Sequence, residues 1–196
     1  MLIAIVGSKG GQGKSTLSMA LAYGCGAGII TNDVDGSVDE FLPEDRTIKL
    51  SNDDAIPDIP AELLAVFDGK AGIDEPCVLD AVSKADWVIT PTVYGVEEVK
   101  RARRAIQQLH AINSNIIIVA NRMKRAEFEE LEAAIGTRWT FPLFWIRESR
   151  HVQELLFLPQ SIHDKAAKGG LAAYTVKDIC EQFDQLFAYL GLTRIS

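Results

Sequence analysis

The sequence predicts an α/β domain, a mostly parallel sheet with helices on both faces. Three observations lead there. Short apolar or β-branched runs bounded by Gly, Asp, Pro or Asn alternate with segments of helical period. The first run passes straight into a glycine-rich loop and then into a helix. The composition, 47% hydrophobic and 24% charged, is that of a packed globular chain with no Pro-, Ser- or Gln-rich tract.

In chain order the expected strands are 3–6, 28–32, 63–67, 87–90, 116–120 and 140–144, and the expected helices between them include 17–23, 96–112, 126–135 and 152–158. Strand followed by helix, repeated, gives a parallel sheet covered on both sides. A closing helix over 175–190 places Val176, Ile179, Cys180, Phe183, Leu186, Phe187 and Leu190 on one stripe. Its outer face carries Lys177, Asp178, Glu181 and Asp184, a net acidic surface unsuited to gripping anionic lipid. The stretch 43–60 lacks a clear period and reads as a surface excursion with one short extra strand at 47–50. The whole of 1–196 is expected to form one domain.

Composition also excludes functions. The longest apolar runs, such as 116–120, are about five residues, against roughly 20 for a membrane span. The apolar start of the chain lacks a basic leader and reads as a buried strand, so a cytoplasmic location is expected. Cys25, Cys77 and Cys180 are far apart with no C-x-x-C pair, which leaves them as buried thiols. A formal charge of −7 confines any nucleic-acid contact to a local basic patch.

The chemistry sits in Ser8-Lys9-Gly10-Gly11-Gln12-Gly13-Lys14-Ser15-Thr16, between the first strand and the first helix. Glycines there let backbone N–H groups turn inward on phosphate oxygens, and the new helix adds its positive end. Lys14 would reach the β- and γ-phosphates and Ser15 would ligand Mg²⁺, with Thr16 beside them. This is a P-loop, which makes the domain an NTPase fold with ATP as its expected ligand. The run 64–68, Leu-Ala-Val-Phe-Asp, is an apolar strand ending in the carboxylate that would hold Mg²⁺ beside the loop.

The form K-G-G-x-G-K-S, with Lys9 early in the loop, resembles the deviant Walker A motif of the ParA/MinD ATPases. Asn32-Asp33-Val34-Asp35 is similar to that family's D-x-D segment, although Gly36-Ser37 stands where Pro-Gln is usual. Asp68-Gly69, followed by Ala71-Gly72, resembles the D-G-A-G of short ParF-type plasmid partition ATPases. Ala85-Asp86-Trp87-Val88-Ile89-Thr90-Pro91 looks like the family's A-D-x-V-I-x-P strand, and Asn121-Arg122 resembles its strand-ending Asn with a basic neighbour. The resemblance implies an ATP-driven homodimer that opens on hydrolysis. It implies that Lys9 crosses to the partner's phosphates, that Asp35 positions the attacking water and that Asp33 lies near Mg²⁺. Asn121 would meet the adenine edge, or it simply ends its strand.

Partition ATPases of this kind act with nonspecific DNA and a small centromere-binding protein of the ParB or ParG type, so those partners are implied, along with nucleoid association and no stable membrane anchor. The densest basic cluster is Lys100, Arg101, Arg103 and Arg104, but Glu97 lies four residues before Arg101, a spacing that also suits a solvated helix face. Arg147, Arg150, Lys165 and Lys168 form a looser second group. The alternatives are a MinD-like positioning ATPase serving another cellular or conjugative apparatus, and a phosphotransfer enzyme of the dethiobiotin-synthetase type.

Overall fold

Each of the expected strands forms, and all pair in parallel. The computed structural model describes residues 1–33, 36, 38–135 and 140–195, the side chain of Asp39 excepted. Its elements are β1 (Leu2–Ile5), α1 (Lys14–Cys25), β2 (Gly28–Thr31), β3 (Thr47–Lys49), β4 (Ala65–Asp68), α2 (Pro76–Lys84), β5 (Trp87–Thr92), α3 (Val96–His110), β6 (Ile116–Met123), α4 (Arg125–Ile135), β7 (Leu143–Arg147), α5 (Arg150–Gln153), α6 (Ile162–Ala167) and α7 (Gly170–Tyr189). The sheet order is β3-β2-β4-β1-β5-β6-β7.

Alternation along β1 divides the core. Ile3 and Ile5 face a layer built from α1, α5, α6 and α7, where Phe183 and Leu17 are buried. Leu2 and Ala4 face α2 and α3, against Val78, Val82, Ile106 and Leu109. Both faces of the strand are apolar because both are covered. Pro91 is tolerated within β5 because β1 pairs only with Trp87 to Ile89, so the missing N–H falls past the end of that ladder.

Helix α1 is buried over most of its length, and its two ends are closed by different means. Gly13 opens it and Gly26 ends it in the left-handed region. The guanidinium of Arg46 then donates to the carbonyls of Ala22 at 2.6 Å and Ala27 at 2.8 Å. Arg46 closes the short 3₁₀ turn that leads into the edge strand β3.

Five elements depart from the sequence reading. The last strand begins at Leu143, because Pro142 lacks an N–H and offers only its carbonyl to Ile118. The helix expected over 152–158 is the short α5 followed by a 3₁₀ turn at Glu154–Leu156, which stops short of Pro159. Helix α2 was not anticipated, although Pro76 stands at its first position. Nor was α6, whose capping box joins Ser161 and Asp164. Helix α7 also starts five residues earlier than 175, leaving Leu171 and Tyr174 exposed.

Candidate functional site

The strand order reverses about β1, with β4 on one side and β5 on the other. In open α/β sheets the crevice at such a switch point, beyond the carboxyl ends of the strands, is where ligands bind. The glycine loop leaves β1 there. Gly11 and Gly13 both take positive φ, 79° and 91°. Gly13 has a second reason to be glycine, since a Cβ would stand 2.0 Å from the Asn121 side-chain nitrogen.

The two lysines of the loop point to different environments. Lys14 is buried and donates to the Lys9 carbonyl at 3.3 Å. Burial lowers its pKa, while the nearby carboxylates of Asp68 and Asp33 act the other way. Lys9 keeps a side chain 51% exposed and reaches Glu98 Oε1 at 2.9 Å. Ser15 and Thr16 follow in the first turn of α1.

Asp68, at the end of β4, is buried, and its Oδ1 has no hydrogen-bond partner. Burial pushes its pKa up to about 6 against the pull of the Ser15 hydroxyl, Lys14 and the Ser18 hydroxyl. A buried carboxylate oxygen without a partner is costly unless something positive meets it. That chemistry fits Mg²⁺. Among the described residues no group of three or more His, Cys, Asp or Glu could hold a metal.

Two side chains that the sequence reading gave no role join the acidic loops. Thr31 Oγ1 donates to the Asp68 carbonyl at 2.9 Å and accepts from the Asp33 N–H at 3.1 Å. Buried Asn32 accepts from the Lys70 N–H at 2.7 Å and donates to Asn52 at 3.1 Å. A polar pair at the end of an apolar strand was the available signal. Asp33 is thus held beside Asp68 and Lys14, whereas Asp35 lies outside the described residues.

From the other side, β6 holds the loop down. Asn121 is fully buried and donates to the Gln12 carbonyl at 3.0 Å, while its own Oδ1 has no partner. Asn121 does not end its strand, because it pairs with Ile146 and β6 runs on to Met123. The next residue, Arg122, has φ of 57° at a bulge between β6 and β7, and its guanidinium lies 3.4 Å from the Gly11 carbonyl. Bulges re-aim side chains in this way next to functional sites. Gln12 is buried with an unpartnered Oε1. Gly10 completes the loop, with open space beside it.

Cavities of about 600 and 760 Å³ flank Arg147, but no residue of the glycine loop lines either. The orphaned polar atoms of Asp68, Asn121 and Gln12 mark the site better than cavity size does.

The candidate basic patches are largely paired internally. Lys100 meets Glu97 at 2.8 Å and Arg101 meets Glu98 at 3.0 Å, so Arg101 does not use the Glu97 spacing. Arg103 and Arg104 form no ion pair among the described residues. In the second group, Arg150 and Lys165 converge on Glu154, Lys168 donates to Gln160, and Arg147 turns inward to the Thr175 carbonyl.

Solved structures share this architecture. The ATP complex of a McdA variant from Cyanothece superposes with a TM-score of 0.67 at 13% identity, covering 100% of this chain and 98% of that one. MinD from Pyrococcus horikoshii, complexed with Mg-ADP, gives 0.61 at 17% identity over 94% and 96%. The fold is that of MinD and the ParA ATPases. A ParA family ATPase from Chlorobium tepidum gives 0.56 at 16% identity over 91% and 98%. No protein-family model matches the sequence, and no curated protein matches it closely. Beside the MinD fold, no helix among the described residues is long and apolar enough to cross a membrane.

Proposed function

We propose that this chain is a ParA/MinD-type ATPase that closes into a homodimer on ATP and reopens on hydrolysis, acting in plasmid or chromosome partition. The observation that carries the reading is the division of labour between two lysines in one glycine loop. Lys14 is drawn inward among carboxylates, and Lys9 is left at the surface where a second copy would meet it.

In this reading Lys14 and the N–H groups of residues 10–16 bind the phosphates, while Ser15, Asp68 and Asp33 hold Mg²⁺. When bound, Mg²⁺ would supply charge neutralisation to the transferring phosphoryl group. Thr31 and Asn32 fix the carboxylates, and Asn121 accepts from the base. Asp35 orients the attacking water. No covalent intermediate is needed, since positioning and charge carry phosphoryl transfer to water. The MinD complex with Mg-ADP and the McdA complex with ATP support nucleotide and metal use here.

The partition role takes nonspecific DNA and a small centromere-binding protein of the ParB or ParG kind as partners, with the ATP dimer on the nucleoid. A positioning role on another apparatus, MinD-like, is the second reading. It is favoured by the pairing of Lys100, Arg101, Arg150 and Lys165 with carboxylates of the same chain, which halves the positive charge the two candidate patches offer to phosphates.

Sizing chromatography with ATP, ADP and no nucleotide tests the switch. The parent dimerises with ATP alone, and Lys9→Ala binds ADP normally yet stays monomeric with ATP. A Lys9→Ala protein that dimerises and hydrolyses like the parent overturns the reading. Filter binding on unrelated duplexes separates the two roles: ATP-dependent, salt-sensitive retention supports partition, and equal or absent retention in all three states supports positioning.

A further inference from the structure

Glu98 lies on the first turn of α3, 89 positions from Lys9, and its carboxylate is only 14% exposed. One oxygen, Oε1, takes both Lys9 at 2.9 Å and Arg101 at 3.0 Å. The other, Oε2, is buried without a partner. The same stretch of loop is tied a second time, because Lys14 donates to the Lys9 carbonyl at 3.3 Å.

We propose that Glu98 is a latch that holds Lys9 within its own protomer, so that forming the ATP dimer requires each copy to release it. The inference rests on the reading that Lys9 acts across a dimer interface. Nucleotide phosphates draw Lys14 away from the Lys9 carbonyl and so remove one tie. The other tie is a competition for one ammonium between Glu98 of the same chain and the phosphates held by a second copy.

Arg101 makes the release workable. A nearly buried carboxylate stripped of every cation would be strongly unfavourable, but Arg101 stays on Oε1 from the next turn of the same helix. The carboxylate therefore keeps one permanent counter-charge and one removable one. Removing Arg101 would tighten the grip on Lys9, and removing the carboxylate would free it.

The expected size follows from the symmetry. A partly exposed ion pair is worth about 1.5- to 5-fold in an equilibrium, and two latches break per dimer, so the effect squares to about 2- to 25-fold. Glu98→Gln is expected to dimerise with ATP at a 2- to 25-fold lower concentration than the parent, with ADP affinity unchanged. Arg101→Gln is expected to move the other way, and the double variant to behave as Glu98→Gln. A merely structural role for Glu98 would weaken dimerisation in both single variants.

Sedimentation velocity across a concentration series with a slowly hydrolysed ATP analogue and Mg²⁺ reads all four proteins. If the parent itself stays monomeric, the dimer reading fails. If the parent dimerises and Glu98→Gln dimerises no more tightly, or Arg101→Gln does not weaken it, the latch fails.

Discussion

Asp68 and Glu154 are carboxylates that the fold shifts in opposite directions. At the glycine loop, burial pushes Asp68 up to about 6 and leaves one of its oxygens without a partner. At the rim, Lys165, His151 and Arg150 gather on Glu154 and pull it down to about 2, with the Lys165 hydrogen bond the largest cause. The interior carboxylate costs stability in the isolated chain, and the surface one adds a little. Polar atoms that the fold buries and leaves unpaired point to a ligand, while polar atoms that it pairs at the surface point to structure.

The contrast is broken most sharply at Lys14. Lys14→Ala removes the cation that the buried site offers to phosphates, and charge-assisted bonds of that kind make ATP affinity fall at least about a hundredfold by titration calorimetry. Unchanged affinity would mean that the loop is only a turn. Next comes Asp68→Asn, which removes a buried charge at constant shape. The nucleotide-free protein is then expected to gain about 1–3 kcal/mol against urea, while Mg²⁺ no longer tightens ATP binding. A loss of stability would show that the carboxylate is structurally satisfied.

The smallest effect belongs to the rim. Glu154→Gln is expected to cost less than about 1 kcal/mol near neutral pH. The sign follows from linkage. A carboxylate with a depressed folded pKa stabilises above its unfolded value of about 4.5 and loses that contribution as pH falls toward about 2. The gap between parent and variant in urea melts therefore closes over that window, and a gap that persists at pH 2 would assign the effect to packing.

Much of this candidate site was legible in the sequence, because its glycine loop has its residues side by side in the chain. Lys14, Ser15 and the glycines are adjacent, and Asp68 ends an apolar run. What was not legible came from contacts across the sheet. Asn121 meets Gln12 over 109 positions, Glu98 meets Lys9 over 89, and Thr31 meets the Asp68 carbonyl over 37. Parallel pairing brings the strand ends together, and the packing of α3 brings Glu98 to the loop. The fold class was readable from alternating periods, but α2 and α6 are short, and their caps at Pro76 and Ser161 were the clearer signal. The basic residues show the reverse failure, since Lys100 and Arg101 pair with Glu97 and Glu98 one turn away on their own helix, and Arg150 and Lys165 share Glu154.

Arg46 carries a consequence for how the protein assembles. The helix whose head bears the glycine loop has its tail closed by a residue 24 positions beyond Ala22, at the entrance to the sheet's outermost strand. Until that strand docks, the Ala22 carbonyl of α1 lacks this partner, and the helix is expected to fray from its C-terminal end. Order at the glycine loop is then coupled to the periphery, and amide protection along α1 would report how firmly β3 is attached.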